Sequence, residues 1–279
     1  MLIGDVCSAA SLAATAVANK YQLPMVSPAS TSTSLSTKDD YFYRTVPSDR
    51  FQGQYAASKL LELGLKKVVV AYSDESYGQG LSFAFIAAFT KEGGKVFPVP
   101  MPIGTRDTAA VMAEIKKQQP DGLFIASNNV LQGADLIKAV KMAKLPFKVS
   151  IFNGDSMMDP TVAATAGKAN TVGVRGSDVS YGTPAFVADF KKFTAGKNIS
   201  YVAKAAHAYD AAEALLEAYR RAPEPKEGPE IMAQLANVRF QGKAGPVAFD
   251  EYGDLKYDPT TSYDVSEFNA KGEVVSVEV

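Results

Sequence analysis

From residue 66 onward, short β-branched runs alternate with longer segments of helical period. This alternation constrains the chain more than any other feature, because βαβ units feeding a mostly parallel sheet account for it and few other folds do. Strands are expected at 66–72, 95–99, 121–126 and 148–152, and helices at 80–92, 107–119 and 131–143. The helix at 80–92 carries Leu81, Phe83, Phe85 and Phe89 and defers its charges to Lys91 and Glu92, so it should pack on a sheet. A helix over 203–221 is amphipathic: Ala205, Ala208, Ala212, Leu215 and Tyr219 recur at spacings of three and four, with Glu213, Glu217 and Arg220 turned outward. A proline-rich connector at 222–229 follows, and Gly228-Pro229 suits the start of a further helix. Beyond it the character changes, and 245–254 and 262–279 read as β-hairpins.

At 279 residues and 47% hydrophobic content, the α/β chain is long enough for two lobes. Its 29 basic and 30 acidic side chains leave a net charge of -1, which excludes a nucleic-acid footprint. No apolar run approaches the roughly 20 residues that a membrane-spanning helix needs, so a soluble, non-spanning chain is expected. The N-terminus has no basic region followed by an apolar stretch and a cleavage site, so no signal peptide is read there. Cys7 is the single cysteine and has no internal disulfide partner; a small buried apolar role is expected for it.

The chemistry of the common α/β enzymes is missing. There is no G-x-S-x-G elbow, no P-loop and no G-x-G-x-x-G turn. The one histidine, His207, lies in the alanine-rich helix and is expected to pack rather than to act as a general base. No C-x-x-C, H-x-x-E or carboxylate cluster has metal-ligand spacing, so no catalytic residue, metal or cofactor is assigned.

Several segments, taken in order, carry a resemblance. They are Cys7-Ser-Ala-Ala10, Pro24-Met-Val-Ser-Pro-Ala-Ser-Thr-Ser32, Tyr43-Arg-Thr-Val-Pro-Ser-Asp49, Asp74-Glu-Ser-Tyr-Gly-Gln-Gly80, Gly104-Thr-Arg-Asp107, Ala208-Tyr-Asp-Ala211 and Phe249-Asp-Glu-Tyr-Gly-Asp254. Together they resemble the solute-binding proteins of branched-chain amino acid ABC transporters, the type I periplasmic-binding-protein or receptor ligand-binding family. The resemblance implies two Rossmann-like lobes hinged as a venus flytrap, with 1–48 and 183–245 in lobe 1, and 49–182 and 246–279 in lobe 2. It places hinge crossovers near 47–50, 180–183 and Gly245. It also implies an exported protein, periplasmic or extracellular, that captures a small ligand such as an amino acid and presents its closed form to an ABC permease. Family members begin with a signal peptide and two further βα units, so lobe 1 is expected to lack its first βα units, and with them the usual partner of Cys7.

The resemblance also implies a site, because ligands of open α/β sheets bind beyond the carboxyl ends of the strands. Ser8, at the expected N-cap of a helix over 9–20, and Ser30 and Thr31, after a strand at 25–27, correspond to the α-carboxylate anchors of lobe 1. Ordinary capping and turn chemistry is the alternative for them. In lobe 2, Tyr77 resembles the family's ligand-covering tyrosine, with a packed turn aromatic as the alternative. Asp155 falls where an acid holds the ligand ammonium, with a helix cap as the alternative. Asn128 and Asn129 stand where amino-acid binders often carry an aromatic residue; they imply a smaller or more polar ligand side chain, or a shifted contact. A ligand sensor with the same fold, and more remotely an α/β enzyme using Asp155 or His207, are the competing functions.

Overall fold

The structure, a computed structural model, describes residues 1–197, 199, 204–256, 258 and 262–278. Ala203, in the expected helix 203–221, and Val279, at the end of the expected hairpin tail, lie outside the described residues. In chain order the first elements are β1 (Leu2–Ile3), α1 (Ser8–Tyr21), β2 (Met25–Ser27), β3 (Phe42–Arg44), α2 (Asp49–Glu62), β4 (Lys67–Ser73), α3 (Ser76–Lys91) and β5 (Lys95–Met101). Next come α4 (Ala109–Gln118), β6 (Gly122–Ala126), α5 (Val130–Met142), β7 (Ser150–Asn153), α6 (Pro160–Ala166), α7 (Lys168–Thr171) and β8 (Arg175–Val179). The last are α8 (Pro184–Thr194), α9 (Ala205–Arg221), α10 (Gly228–Leu235), β9 (Arg239–Gln241), β10 (Pro246–Ala248), β11 (Tyr263–Phe268) and β12 (Val274–Ser276).

The chain divides into two compact units, residues 1–48 with 179–262, and residues 49–178 with 263–279. The second unit holds a seven-stranded sheet in the order β12-β11-β8-β7-β6-β4-β5. Pairing is parallel from β5 through β8, and β11 and β12 are antiparallel. Its strands bury both faces. Val69, Ala71, Leu123, Ile125 and Ile151 enter one core, while Val68, Val70, Phe124, Ala126 and Phe152 enter the other. That alternation is the period of two of a strand covered by helices on each side.

The first unit carries a three-stranded parallel sheet, β1-β2-β3. Val26 faces the apolar side of α9, with Ala211, Ala214, Leu215 and Ala218 in the same core. Met25 and Phe42 join Ala18 of α1 and Leu35 in a second cluster. β9 and β10 form an antiparallel hairpin, and Phe249 just beyond it meets the ring of Tyr43 edge-on at 5.0 Å.

The expected strands and helices from 66 to 153 are all present, with ends shifted by a few residues. The helix read at 80–92 starts at Ser76, because the Glu75 carboxylate caps it by accepting from Tyr77 N–H and Gly78 N–H, both at 2.9 Å. The hairpin expected in 262–279 forms as β11–β12, whereas in 245–254 the strand β10 pairs back with β9, which precedes that segment, and Phe249 makes only an isolated bridge to Leu255. Other expectations need correction. Cys7 is exposed, because it occupies the N-cap position of α1, whose buried face is Ser8, Ser11, Thr15 and Ala18. The third crossing falls between 262 and 263 rather than near Gly245. Residues 246–262 therefore belong to the first unit, where β10 pairs with β9 and Phe249 packs on Tyr43. Residues 179–182 do so as well, since Ser180 O faces His207 Nε2 at 3.1 Å.

His207 is buried, and its other ring nitrogen, Nδ1, lies 2.7 Å from Thr45 O. The ring is thus a cross-brace between main-chain segments, as its place in a packed helix suggested. Asp40, half-buried before β3, has its pKa pushed up to about 6, chiefly by burial, with repulsion from Asp254 adding and the Phe42 N–H and Arg44 opposing. The folded chain therefore holds this proton to a higher pH than the unfolded chain, whose carboxyl titrates near 3.8. Stability is lost as pH rises through that window. Asp40→Asn keeps an acceptor for Phe42 N–H and is expected to raise the melting temperature at pH 8. The gain, about 1 kcal/mol after allowing for solvent screening, should vanish by pH ~4 in paired melts.

Candidate functional site

In the first unit, three small polar residues converge where β2 ends and α1 begins. Ser8, Ser30 and Thr31 are all buried. Ser8 does not cap α1 as expected, because the helix starts one residue earlier and Cys7 takes the cap position. Instead its hydroxyl accepts from Ser32 N–H at 3.2 Å, tying the helix start to the loop after β2. Ser30 Oγ lies 2.7 Å from Ser11 Oγ and donates to Asp5 O at 2.9 Å, while its N–H donates to Ser27 Oγ at 2.9 Å. Thr31 makes no hydrogen bond among the described residues. It is the member of the trio left able to donate from both N–H and hydroxyl.

Behind this loop lies a group that sequence reasoning missed. Arg44, at the end of β3, is fully buried. Its Nε and Nη2 each stand 2.7 Å from Asp254 Oδ1. Nη2 also donates to Ser36 Oγ at 2.8 Å, and Ser36 Oγ donates to Asp254 Oδ2 at 2.7 Å. Nη1 donates to Ser30 O and Ser32 O, at 3.2 and 2.9 Å. Asp254 is presented by a tight turn in which Asp250 Oδ1 accepts from Tyr252 N–H and Asp254 N–H. The turn needs Gly253: its φ is +72°, and a Cβ there would lie 2.4 Å from Phe42 O.

In the second unit, Tyr77, Asn128, Asn129 and Asp155 follow β4, β6 and β7, which are neighbours in the sheet, so all four sit at the carboxyl ends of adjacent parallel strands. Tyr77 and Asp155 are brought into contact. The tyrosine hydroxyl donates to Asp155 Oδ1 at 2.8 Å, and both side chains are 3% exposed. Burial pushes the Tyr77 hydroxyl pKa well up, with the nearby carboxylates of Asp155 and Asp49 adding to the effect, so the hydroxyl keeps its proton and donates. Gly154 permits this approach, since a Cβ there would come within 2.8 Å of the Tyr77 hydroxyl. Gln52, also missed in the sequence, is the third partner. With its amide oriented to satisfy both ends, it accepts from Asp155 N–H at 3.0 Å and donates to Asp155 Oδ1 and Asp49 Oδ1, both at 3.2 Å.

The two asparagines are not joined to this pair. Asn129 caps α5, its Oδ1 accepting from Gln132 N–H at 3.2 Å while its Nδ2 donates to Thr105 O at 3.0 Å. Asn128 is half-buried. Among the described residues no group of three or more His, Cys, Asp or Glu side chains is arranged to hold a metal ion. No helix there is long and apolar enough to cross a membrane.

A family model described as periplasmic binding protein matches residues 1–273. Among curated proteins, the Leu/Ile/Val-binding protein homolog 6 of Brucella abortus is 33% identical over 115 residues, 41% of this chain and 30% of that protein. The match thus spans less than a third of that relative's length. Among solved structures, a leucine-binding protein from Thermotoga maritima superposes with a TM-score of 0.86 at 27% identity, over 99% of this chain and 78% of its own. A solute-binding protein of an ABC transporter from R. palustris, solved with benzoate, gives a TM-score of 0.82 at 20% identity, over 99% and 76%.

Proposed function

Because this chain belongs to the periplasmic binding protein family, we propose that it is a solute-binding protein that captures a free amino acid for an ABC permease, acts outside the cytoplasmic membrane and transforms no substrate. The similar proteins divide over ligand: one is named for leucine, while another was solved with benzoate, which has a carboxylate but no ammonium. The observation that carries the choice is the buried Asp155 carboxylate, oriented by Tyr77 and Gln52. Such a group attracts an ammonium and repels a second carboxylate, so an aromatic acid is disfavoured.

The polar trio of the first unit complements this. Thr31 offers an N–H and a hydroxyl to a carboxylate, and Ser8 and Ser30 fix the loop that presents them. An amino acid carries a group suited to each, a carboxylate for the one and an ammonium for the other. The test is a thermal melt of the chain with each of the twenty amino acids, benzoate and 4-hydroxybenzoate. An amino acid at 100 times its dissociation constant should add about 2.7 kcal/mol, a shift of several degrees for a chain of this size. A shift with the aromatic acids and with no amino acid would overturn the reading.

A further inference from the structure

We propose that Arg44 is a positioning residue for the ligand carboxylate, acting through the two peptide planes that it grips. The proposal rests on the carboxylate reading of the Ser8–Ser30–Thr31 half-site, but its structural part stands separately. Three segments meet at this one guanidinium, two of them close in the chain and the third 210 residues beyond Arg44. They are the loop after β2, the Tyr43-Arg-Thr segment at the end of β3, and the Asp-Glu-Tyr-Gly-Asp turn ending at Asp254. Packing alone does not call for an arginine here. A fully buried cation is costly to desolvate, and an apolar side chain of similar volume fills such a space at no electrostatic cost.

What the arginine supplies is direction. The Ser30–Thr31 and Ser32–Thr33 peptides are trans, since the cis bonds of the described chain lie at Gly4–Asp5 and Glu224–Pro225. In a planar trans peptide, C=O and N–H point opposite ways. With Ser30 O and Ser32 O both turned to Nη1, the N–H groups of Thr31 and Thr33 are both turned away from the arginine. Neither makes a hydrogen bond among the described residues. These two amides and the Thr31 hydroxyl are the donors that the loop turns away from Arg44, and the arginine fixes the direction of both amides. Asp254 balances the guanidinium and Ser36 completes the anchor, so Arg44 is held from behind while it orients the loop in front.

The deciding variant is Arg44→Lys, which keeps the charge opposite Asp254 but has no planar fork to hold two carbonyls. Hydrogen exchange of residues 30–35 is compared with that of α9 in the same unit, and affinity is measured by calorimetry for the amino acid giving the largest melt shift with the native chain. We expect exchange at 30–35 to quicken about 10-fold or more and affinity to fall about 10- to 100-fold, as for loss of one or two charge-assisted bonds, with α9 unchanged. Equal quickening of α9 would make Arg44 merely structural and overturn the proposal, as would unaltered exchange at 30–35 or unaltered affinity. Should Arg44→Lys not fold, Ser36→Ala removes one anchor and should produce the same local change at about 3-fold; no change there also overturns it. If no amino acid shifts the melt of the native chain, the functional reading fails, while the exchange comparison still decides whether Arg44 orients the loop.

Discussion

Replacing Asp155 by asparagine is expected to weaken amino-acid binding by about 30-fold or more. Truncating one partner of a buried, hydrogen-bonded charge pair costs about 2–5 kcal/mol. Asparagine preserves the shape and keeps an oxygen for the Tyr77 hydroxyl, which donates to Oδ1 at 2.8 Å, so the apo chain should melt close to the native one. The effect should therefore appear in affinity rather than in stability. Calorimetric titration of the same amino acid into both proteins separates the two. Tyr77→Phe removes only the orienting bond and should fall between them. Unchanged affinity in a folded Asp155→Asn protein would remove the ammonium role and leave Asp155 as an internal cap. Recovery of benzoate binding in that variant would show that the carboxylate is what rejects an acid lacking an ammonium.

Asp254→Ala should be the most destabilising single change considered for this chain. It strips the counter-charge from a guanidinium that is fully buried, and breaking a buried ion pair from one side costs about 3–5 kcal/mol. A fall in melting temperature on the order of 10 °C follows for a chain of this size. The loss also releases Ser36, whose hydroxyl donates to the same carboxylate. Replacing both partners by apolar residues, as Arg44→Met with Asp254→Leu, should recover much of that stability, because no lone charge is then left buried. If the double variant melts as low as Asp254→Ala, the cost comes from the turn itself, where Gly253 sits at positive φ, rather than from the charge.

These two residues illustrate what a sequence exposes and what it hides. The βα alternation from residue 66 is a local signal, repeated every few residues, and strands such as β4 and β6 could be read from it directly. β8 could not, because its Arg-Gly-Ser-Asp-Val sequence shows neither apolar alternation nor a β-branched run, although four of its five residues are buried. α2 was missed for a similar reason: its buried face includes Asp49, Gln52 and Gly53, which do not mark an apolar stripe. At the site, Tyr77 and Asp155 were singled out by the family resemblance rather than by any local signal, and their mutual bond, 78 residues apart in sequence, was not legible. Arg44 and Asp254 are 210 residues apart. Each looked like an ordinary polar residue in its own segment, and nothing local distinguishes a buried arginine from a solvated one until its partner is in place. Asn129 shows the reverse case, a residue at the right strand end whose amide is taken up by capping α5.

The three crossings between the units carry a consequence for how the chain can be taken apart. Each unit is assembled from two separated stretches, so no single cut yields an independent half. The sheet of the second unit begins with β4 yet has β11 and β12 on its outer side, and these come from the last residues described. On a ribosome, that sheet must wait through the whole of 179–262 before its border strands exist. During that interval β8 is a bare edge, the kind of surface that recruits other chains. The interleaving of the two units along the chain thus leaves a window in synthesis when the second unit's sheet depends on being shielded, and late strand addition rather than early collapse should set the pace at which that sheet matures.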